Sequence, residues 1–261
     1  MIDLHCHMLP GLDDGPRDFT VSLEMARIAV AEGISTVVCT PHILPTVYDN
    51  TGTNIRAAVN RFEAELARAK VPLRVLPGAD VHIAPNLVED LHRGRVLSIA
   101  DSRYILLEAP HHIFSPALRD CIFSLMAAGY VPILTHPERL AWIGQYYELL
   151  QELATAGTLV QITCGSLIGH FGRRAQHWSL RMLDEGFVDV IATDAHDTEG
   201  RPPRMKEALQ VVVDHRGGDE ANKMVSERPR AILDNLDLSG LLTRTSNKPS
   251  SSRHGQWRFW A

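Results

Sequence analysis

Residues 1–7, Met-Ile-Asp-Leu-His-Cys-His, and residues 188–196, Val-Asp-Val-Ile-Ala-Thr-Asp-Ala-His, are apolar runs that end in side chains able to hold a metal ion. Both endings have the same spacing, in His5-Cys6-His7 and in Asp194-Ala195-His196. A strand sends alternate side chains to one face, so each pair can share an ion. One such pair alone is as readily two satisfied histidines as a ligand set. Two pairs on strands that become neighbours offer three imidazoles and a carboxylate together.

Between these ends the chain repeats one grammar. Runs over 2–7, 36–40, 73–76, 104–107, 131–135, 159–163 and 188–193 each stop at a chemically capable residue: His7, His42, Asp80, Glu108, His136, Cys164 and Asp194. The steps are 35, 38, 28, 28, 28 and 30 positions, about one βα unit each. Helical patterns over 19–32, 54–70, 116–128, 146–156 and 174–185 fill the gaps, with Asp18 placed to cap the first. Gly33, Gly129, Gly157 and Gly186 stand where helices stop. Such alternation predicts a parallel sheet, open or closed. We expect a closed barrel, because polar strand ends converge on one mouth only if the sheet closes. Residues 204–215 and 220–233 also read as helices, and the Ser/Pro-rich segment 243–261 reads as a disordered tail whose Trp257, Phe259 and Trp260 could dock on a partner.

Composition sets outer limits. With 261 residues, 45% hydrophobic and 22% charged, the chain suits a soluble domain, expected over 1–242 and in the cytoplasm. A net charge of −5 without a basic run excludes nucleic acid as the main ligand. No apolar stretch reaches the ~20 residues of a membrane helix. Four separate cysteines have no CxxC spacing, so neither a zinc ribbon nor a disulfide framework is expected. Six positions after each cysteine stand Leu12, Pro45, Ala127 and His170, not the arginine that cysteine-based phosphatases require. Neither a P-loop nor a GxSxG elbow is present.

Histidines with carboxylates and no thiolate suit Mn²⁺, Fe²⁺ or Zn²⁺, and so many ligands imply two or three ions. Arg139 and Arg201, close to His136 and His196, are candidates for binding a phosphate through bidentate guanidinium donors. Asp197 is the candidate proton donor.

The stretches IDLHCHMLPGLDDGPRD (2–18), SLEMAR (22–27), VCTPH (38–42), THPER (135–139) and TDAHDTEGRPPRM (193–205) together resemble the PHP (polymerase and histidinol phosphatase) type protein-tyrosine phosphatases of bacterial capsule and exopolysaccharide systems. The resemblance runs from residue 1 to about 235, in the family's order. It implies a distorted (β/α)7 barrel holding a cluster of ions, manganese above all. By it, His5, His7, Glu108 and Asp194 hold one ion, and Glu108 bridges to a second held by His42 and His136. Asp14, Asp80 and His196 serve a third site or its bridge. Asp80 departs from the family pattern, which has glutamate there. The implied reaction is attack of a metal-activated hydroxide on phosphotyrosine, with a tyrosine kinase of polysaccharide export as the partner. A small phosphorylated metabolite, such as histidinol phosphate or a sugar phosphate, remains an alternative, as does a metal-bound scaffold without turnover. The oligomeric state is open, homo-oligomers included.

Overall fold

All seven apolar runs form parallel strands, and the segments between them form helices. The computed structural model describes residues 1–242; the tail expected over 243–261, with its three aromatic side chains, lies outside the described residues. The strands are β1 (Ile2–Cys6), β2 (Thr36–Cys39), β3 (His42–Ile43), β4 (Arg74–Pro77), β5 (Asp80–His82), β6 (Tyr104–Glu108), β7 (Val131–Thr135), β8 (Leu159–Thr163) and β9 (Val190–Ala192). Two of the runs, 36–40 and 73–76, are thus each followed at once by a second short strand, β3 and β5. Pro41 has no N–H to give to a ladder. At Gly78 a Cβ would sit 2.6 Å from Val38 Cγ1, so the chain passes too close for any side chain.

The result is two parallel sheets, ordered β1-β2-β4 and β3-β5-β6-β7-β8-β9, instead of one. Backbone hydrogen bonds cross both places where the sheets meet. Gly78 N–H donates to Cys39 O (3.0 Å) and Asp80 N–H to Pro41 O (3.3 Å). At the opposite edges Asp194 N–H donates to His5 O (2.8 Å) and His7 N–H to Ala195 O (2.9 Å). The first and last strand ends therefore lie side by side.

The helices are α1 (Phe19–Ala31), α2 (Gly52–Arg68), α3 (Leu87–His92), α4 (Ala117–Ala127), α5 (Tyr147–Ala156), α6 (Cys164–Leu167), α7 (Gly172–Asp184), α8 (Lys206–Arg216), α9 (Gly218–Asn222) and α10 (Arg228–Leu233). Asp18 caps α1 as expected, its side chain accepting from the backbone N–H groups of Thr20 and Val21. The four helix-stopping glycines all have positive φ. The helix expected over 220–233 is broken instead by a π-helical turn over Lys223–Glu227. Pro229 lacks the N–H that an unbroken α-helix would donate to residue 225. No helix among the described residues is long and apolar enough to cross a membrane.

Strand alternation divides the core. Val37, Val75, Ile105, Leu107 and Leu134 pack toward the helices, while Ile2, Leu4, Val38, Leu106, Ile133 and Val190 form a separate inner cluster. Each such side chain contributes about 1.5–3 kcal/mol when fully buried.

In β1 the alternation is interrupted. Asp3 pairs with Val37 and Cys6 with Cys39, which leaves Leu4 and His5 opposite Val38 alone. This is a β-bulge, one extra residue that re-aims the side chains after it. Asp3 stabilises it by accepting from His5 N–H (3.3 Å) and from the Thr193 N–H (3.1 Å). Ile2 and Leu4 thus join the inner cluster below, and His5 and His7 join the same interior at its mouth.

Candidate metal centre

All nine side chains expected to bind metal converge at one end of the sheets, where they form overlapping groups. His5 Nε2 lies 3.3 Å from Asp194 Oδ1 and 3.5 Å from Asp80 Oδ2. His7 Nε2 is 3.4 Å from Asp194 Oδ1. His42 Nδ1 is 3.4 Å from Asp80 Oδ2 and 3.3 Å from Glu108 Oε2. His136 Nε2 is 3.7 Å from Glu108 Oε1, and His196 Nε2 is 3.4 Å from Asp14 Oδ1. These gaps are mostly longer than good hydrogen bonds. Two ligands each about 2.1 Å from a shared ion are roughly 3.0–3.4 Å apart at octahedral or tetrahedral angles. Both oxygens of Asp80, His42 Nδ1 and His196 Nε2 are buried without a hydrogen-bond partner. Unpaired buried polar atoms each cost about 1–3 kcal/mol, so the donors fit divalent ions that would satisfy them together.

The outward nitrogens are already engaged, which aims the inner ones. His7 Nδ1 donates to Asp13 Oδ2 (2.7 Å), His5 Nδ1 to Gln161 Oε1 (2.9 Å) and His196 Nδ1 to Asp194 O (2.9 Å). In all three rings Nε2 is left for the interior, the arrangement that second-shell partners impose on metal-binding imidazoles. Gly15 is required beneath Asp13, since a Cβ there would lie 2.5 Å from His7 O. His136 and Asp194 have φ of 34° and 51°. Such left-handed backbone costs about 1–3 kcal/mol in residues other than glycine, and it gathers at functional sites.

Burial and charge oppose each other here. Burial would lower the basicity of His7, but the Asp13 and Asp194 carboxylates outweigh it and lift its pKa to about 10. Burial alone would raise Glu108, yet the His111, His42 and His82 imidazoles beside it hold it far below the usual carboxylate range. Asp194 is held down likewise, against burial, by His5, His7 and Arg201. His136 is pushed well down by burial and by the nearby Arg139.

Arg139 and Arg201 both reach Asp194 Oδ2, Arg201 Nη2 at 2.6 Å. Both guanidiniums also lie over the Phe171 ring, at 4.4 and 5.6 Å. Arg201 Nε is buried without a partner, and a cavity of about 490 Å³ opens beside this arginine, walled in part by Phe171 and Thr193.

The structure departs from the sequence reading in two respects. Asp197 Oδ1 accepts from the N–H groups of Glu199 (2.8 Å), Gly200 (2.6 Å) and Arg201 (2.9 Å). Although burial opposes it, these bonds keep the carboxyl below its ordinary pKa. Asp197 thus shapes the loop that carries Arg201 and is a poor proton donor. Glu108 groups with His42, His82, His111 and His136, whereas Asp80, not Glu108, groups with His5 and His7. Hydrogen bonds to His82 and His111 draw the longer Glu108 side chain toward the rim.

Four supporting residues were given no role by the motif reading: Asp13, His82, His111 and Gln161. His82 was within reach, because Asp80-Val81-His82 repeats the spacing of Asp194-Ala195-His196. Gln161 and His111 carry no comparable pattern.

Residues 1–234 match the family model described as "Capsular polysaccharide synthesis, CpsB/CapC". The tyrosine-protein phosphatase YwqE of Bacillus subtilis (strain 168) is 37% identical over 238 residues, which are 91% of this chain and 93% of that protein. A crystal structure from a study of YwqE from Bacillus subtilis and CpsB from Streptococcus pneumoniae, described as unique metal-dependent tyrosine phosphatases, superposes with a TM-score of 0.87 at 37% identity. It covers 91% of this chain and 96% of that one. A β-aspartyl dipeptidase from Fervidobacterium islandicum AW-1 is similar in fold alone, with a TM-score of 0.53 at 14% identity over 89% of this chain and 72% of that one. The candidate ligands at the strand ends and this agreement along nearly the whole chain lead to one assignment: the protein belongs to the CpsB/CapC family of capsular polysaccharide synthesis.

Proposed function

We propose that the chain is a metal-dependent protein-tyrosine phosphatase, acting on a phosphorylated tyrosine kinase that controls capsule or exopolysaccharide export. The observation that carries this reading is the meeting of nine metal-capable side chains with two guanidiniums at Asp194. Similarity to proteins named tyrosine-protein phosphatases supports it. Residues 1–242 then form one phosphoesterase domain in the cytoplasm, and the two sheets joined at both edges amount to a distorted (β/α)7 barrel.

The residues to hold two or three ions are His5, His7, Asp14, His42, Asp80, Glu108, His136, Asp194 and His196. This mix of imidazole and carboxylate suits Mn²⁺, with Fe²⁺ and Zn²⁺ as alternatives. Bound divalent ions supply a water of lowered pKa and neutralise charge on the phosphoryl oxygens. Arg139 and Arg201 bind the phosphate through the N–H groups that Asp194 leaves unused, Arg201 Nε among them. Phe171 supports both guanidiniums from one side. With Asp197 engaged by three backbone N–H groups, no strong proton donor stands at this loop. That favours a phenolate leaving group, whose conjugate acid has a pKa near ~10, over the far more basic alkoxide of a sugar or histidinol phosphate.

The test is to strip the full-length protein with chelator, restore Mn²⁺, Fe²⁺ or Zn²⁺, and compare a phosphotyrosine peptide with histidinol phosphate and sugar phosphates. We expect metal-dependent release of phosphate from the peptide, and a loss of at least about 100-fold both in Arg139→Ala, which removes a donor to the transition state, and in His136→Ala, which removes a ligand of the activating ions. Hydrolysis of the metabolites alone overturns the tyrosine assignment. No turnover with any of the three metals overturns the phosphatase itself.

A further inference from the structure

Glu108 has four histidine neighbours at two kinds of distance. His111 Nε2 is hydrogen-bonded to Oε1 at 2.9 Å, and His82 Nε2 is in close contact with Oε2 at 2.5 Å. His42 Nδ1, at 3.3 Å from Oε2, and His136 Nε2, at 3.7 Å from Oε1, stand off as ligands around a shared ion do. Each carboxylate oxygen therefore has one close histidine and one distant one. A carboxylate oxygen can only accept, so His82 and His111 donate.

Their places in the fold make this arrangement rigid. His82 pairs directly with Glu108 across the β5–β6 ladder, and the Ile83 N–H donates to Glu108 O (3.3 Å). His111 follows Glu108 by three residues and is tied through its own carbonyl to Ala141 N–H (2.8 Å). The two side chains are partly open to solvent at the rim, at 18% and 26%, whereas His136 behind them is 2% exposed.

We propose that His82 and His111 are positioning residues that grip Glu108, one oxygen each, so that its remaining lone pairs face ions shared with His42 on one side and His136 on the other. The inference rests on the metal-binding part of the proposed function. It separates the seven histidines around the centre into five that would hold the ions and two that aim the Glu108 carboxylate set between His42 and His136.

The test compares His82→Phe and His111→Phe, which keep a ring but lose the donor, with His82→Gln and His111→Gln, which keep an N–H. Each full-length protein is stripped, its fold is checked by circular dichroism, and Mn²⁺ and Zn²⁺ affinities are measured by competition with a chromophoric chelator. Bound metal at saturation is counted by mass spectrometry. The Phe variants should bind the full number of ions, one of them about 10–100-fold more weakly, as loss of an outer partner does. The Gln variants should recover most of that loss. Parent-like affinity in both Phe variants overturns the proposal. So does the loss of a whole ion at saturation, which would make either histidine a direct ligand. Both readouts are taken without substrate and so stand apart from the phosphatase assay.

Discussion

Asp13 touches no candidate ion position directly, yet its removal should weaken metal binding. Its Oδ2 accepts from His7 Nδ1 (2.7 Å) and from the His42 N–H (3.1 Å), and its Oδ1 accepts from the Gly15 N–H (3.0 Å). One buried carboxylate thus orients one ligand ring and fixes the backbone of a second. In Asp13→Ala two backbone N–H groups lose their acceptor, at about 1–3 kcal/mol each, and the His7 ring loses the bond that selects its tautomer. Stability of the stripped protein should fall by about 2–6 kcal/mol, and metal affinity by about 10–100-fold, which is about 1.4–2.7 kcal/mol. Asp13→Asn divides the two effects. Its remaining oxygen can still serve His7 and His42, while its amide faces the Gly15 N–H. It should lose about 1–3 kcal/mol of stability and only the lower end of the affinity change. Urea unfolding of the stripped proteins gives the first quantity, and chelator competition gives the second. If Asp13→Ala is destabilised but binds metal as tightly as the parent, Asp13 merely braces a loop, and the role assigned to it is wrong.

The geometry implies two further outcomes. Because Asp13 and Asp194 lift the His7 pKa to about 10 against the effect of burial, metal must displace a proton from this ring at neutral pH. Affinity should therefore rise with pH up to about 10, and titration calorimetry at about pH 8 should give heats that vary with the ionisation heat of the buffer that takes up the released proton; the same observed heat in every buffer refutes this. The sign for stability is opposite. The folded pKa lies above the ordinary 6.5, so the stripped protein has this contribution in full below 6.5 and loses it as pH rises through about 10. Phe171→Ala removes the ring beneath Arg139 and Arg201; at about 0.5–1 kcal/mol per cation–π contact, KM for an aryl phosphate should rise several-fold with metal content unchanged, and an unchanged KM denies the ring that role.

Much of the site was legible because its chemistry sits on strand ends. His5-Cys6-His7 and Asp194-Ala195-His196 declare themselves by spacing, and His42, Glu108 and His136 by the βα period that separates them. Asp197 misled, since a carboxylate beside a ligand reads as a proton donor until its three backbone donors are located. Asp13, His111 and Gln161 were out of reach, because their partners are chosen by distances across the fold that no local pattern carries.

Taken alone, the sequence determined that seven apolar runs alternate with helices, where the helices stop, and which side chains stand at the strand ends. Local steric preferences and apolar periodicity suffice for that. It could not determine which way β1 faces. Strict alternation would put His5 and His7 on the side of Asp3, opposite the inner Ile2 and Leu4. The bulge at Leu4 and His5 turns them inward, and it persists because Asp3 engages His5 and Thr193 across two strands. The breaks at Pro41 and Gly78, and the grip of His82 and His111 on Glu108, are likewise decided by neighbours remote in sequence. Only packing brings those neighbours together.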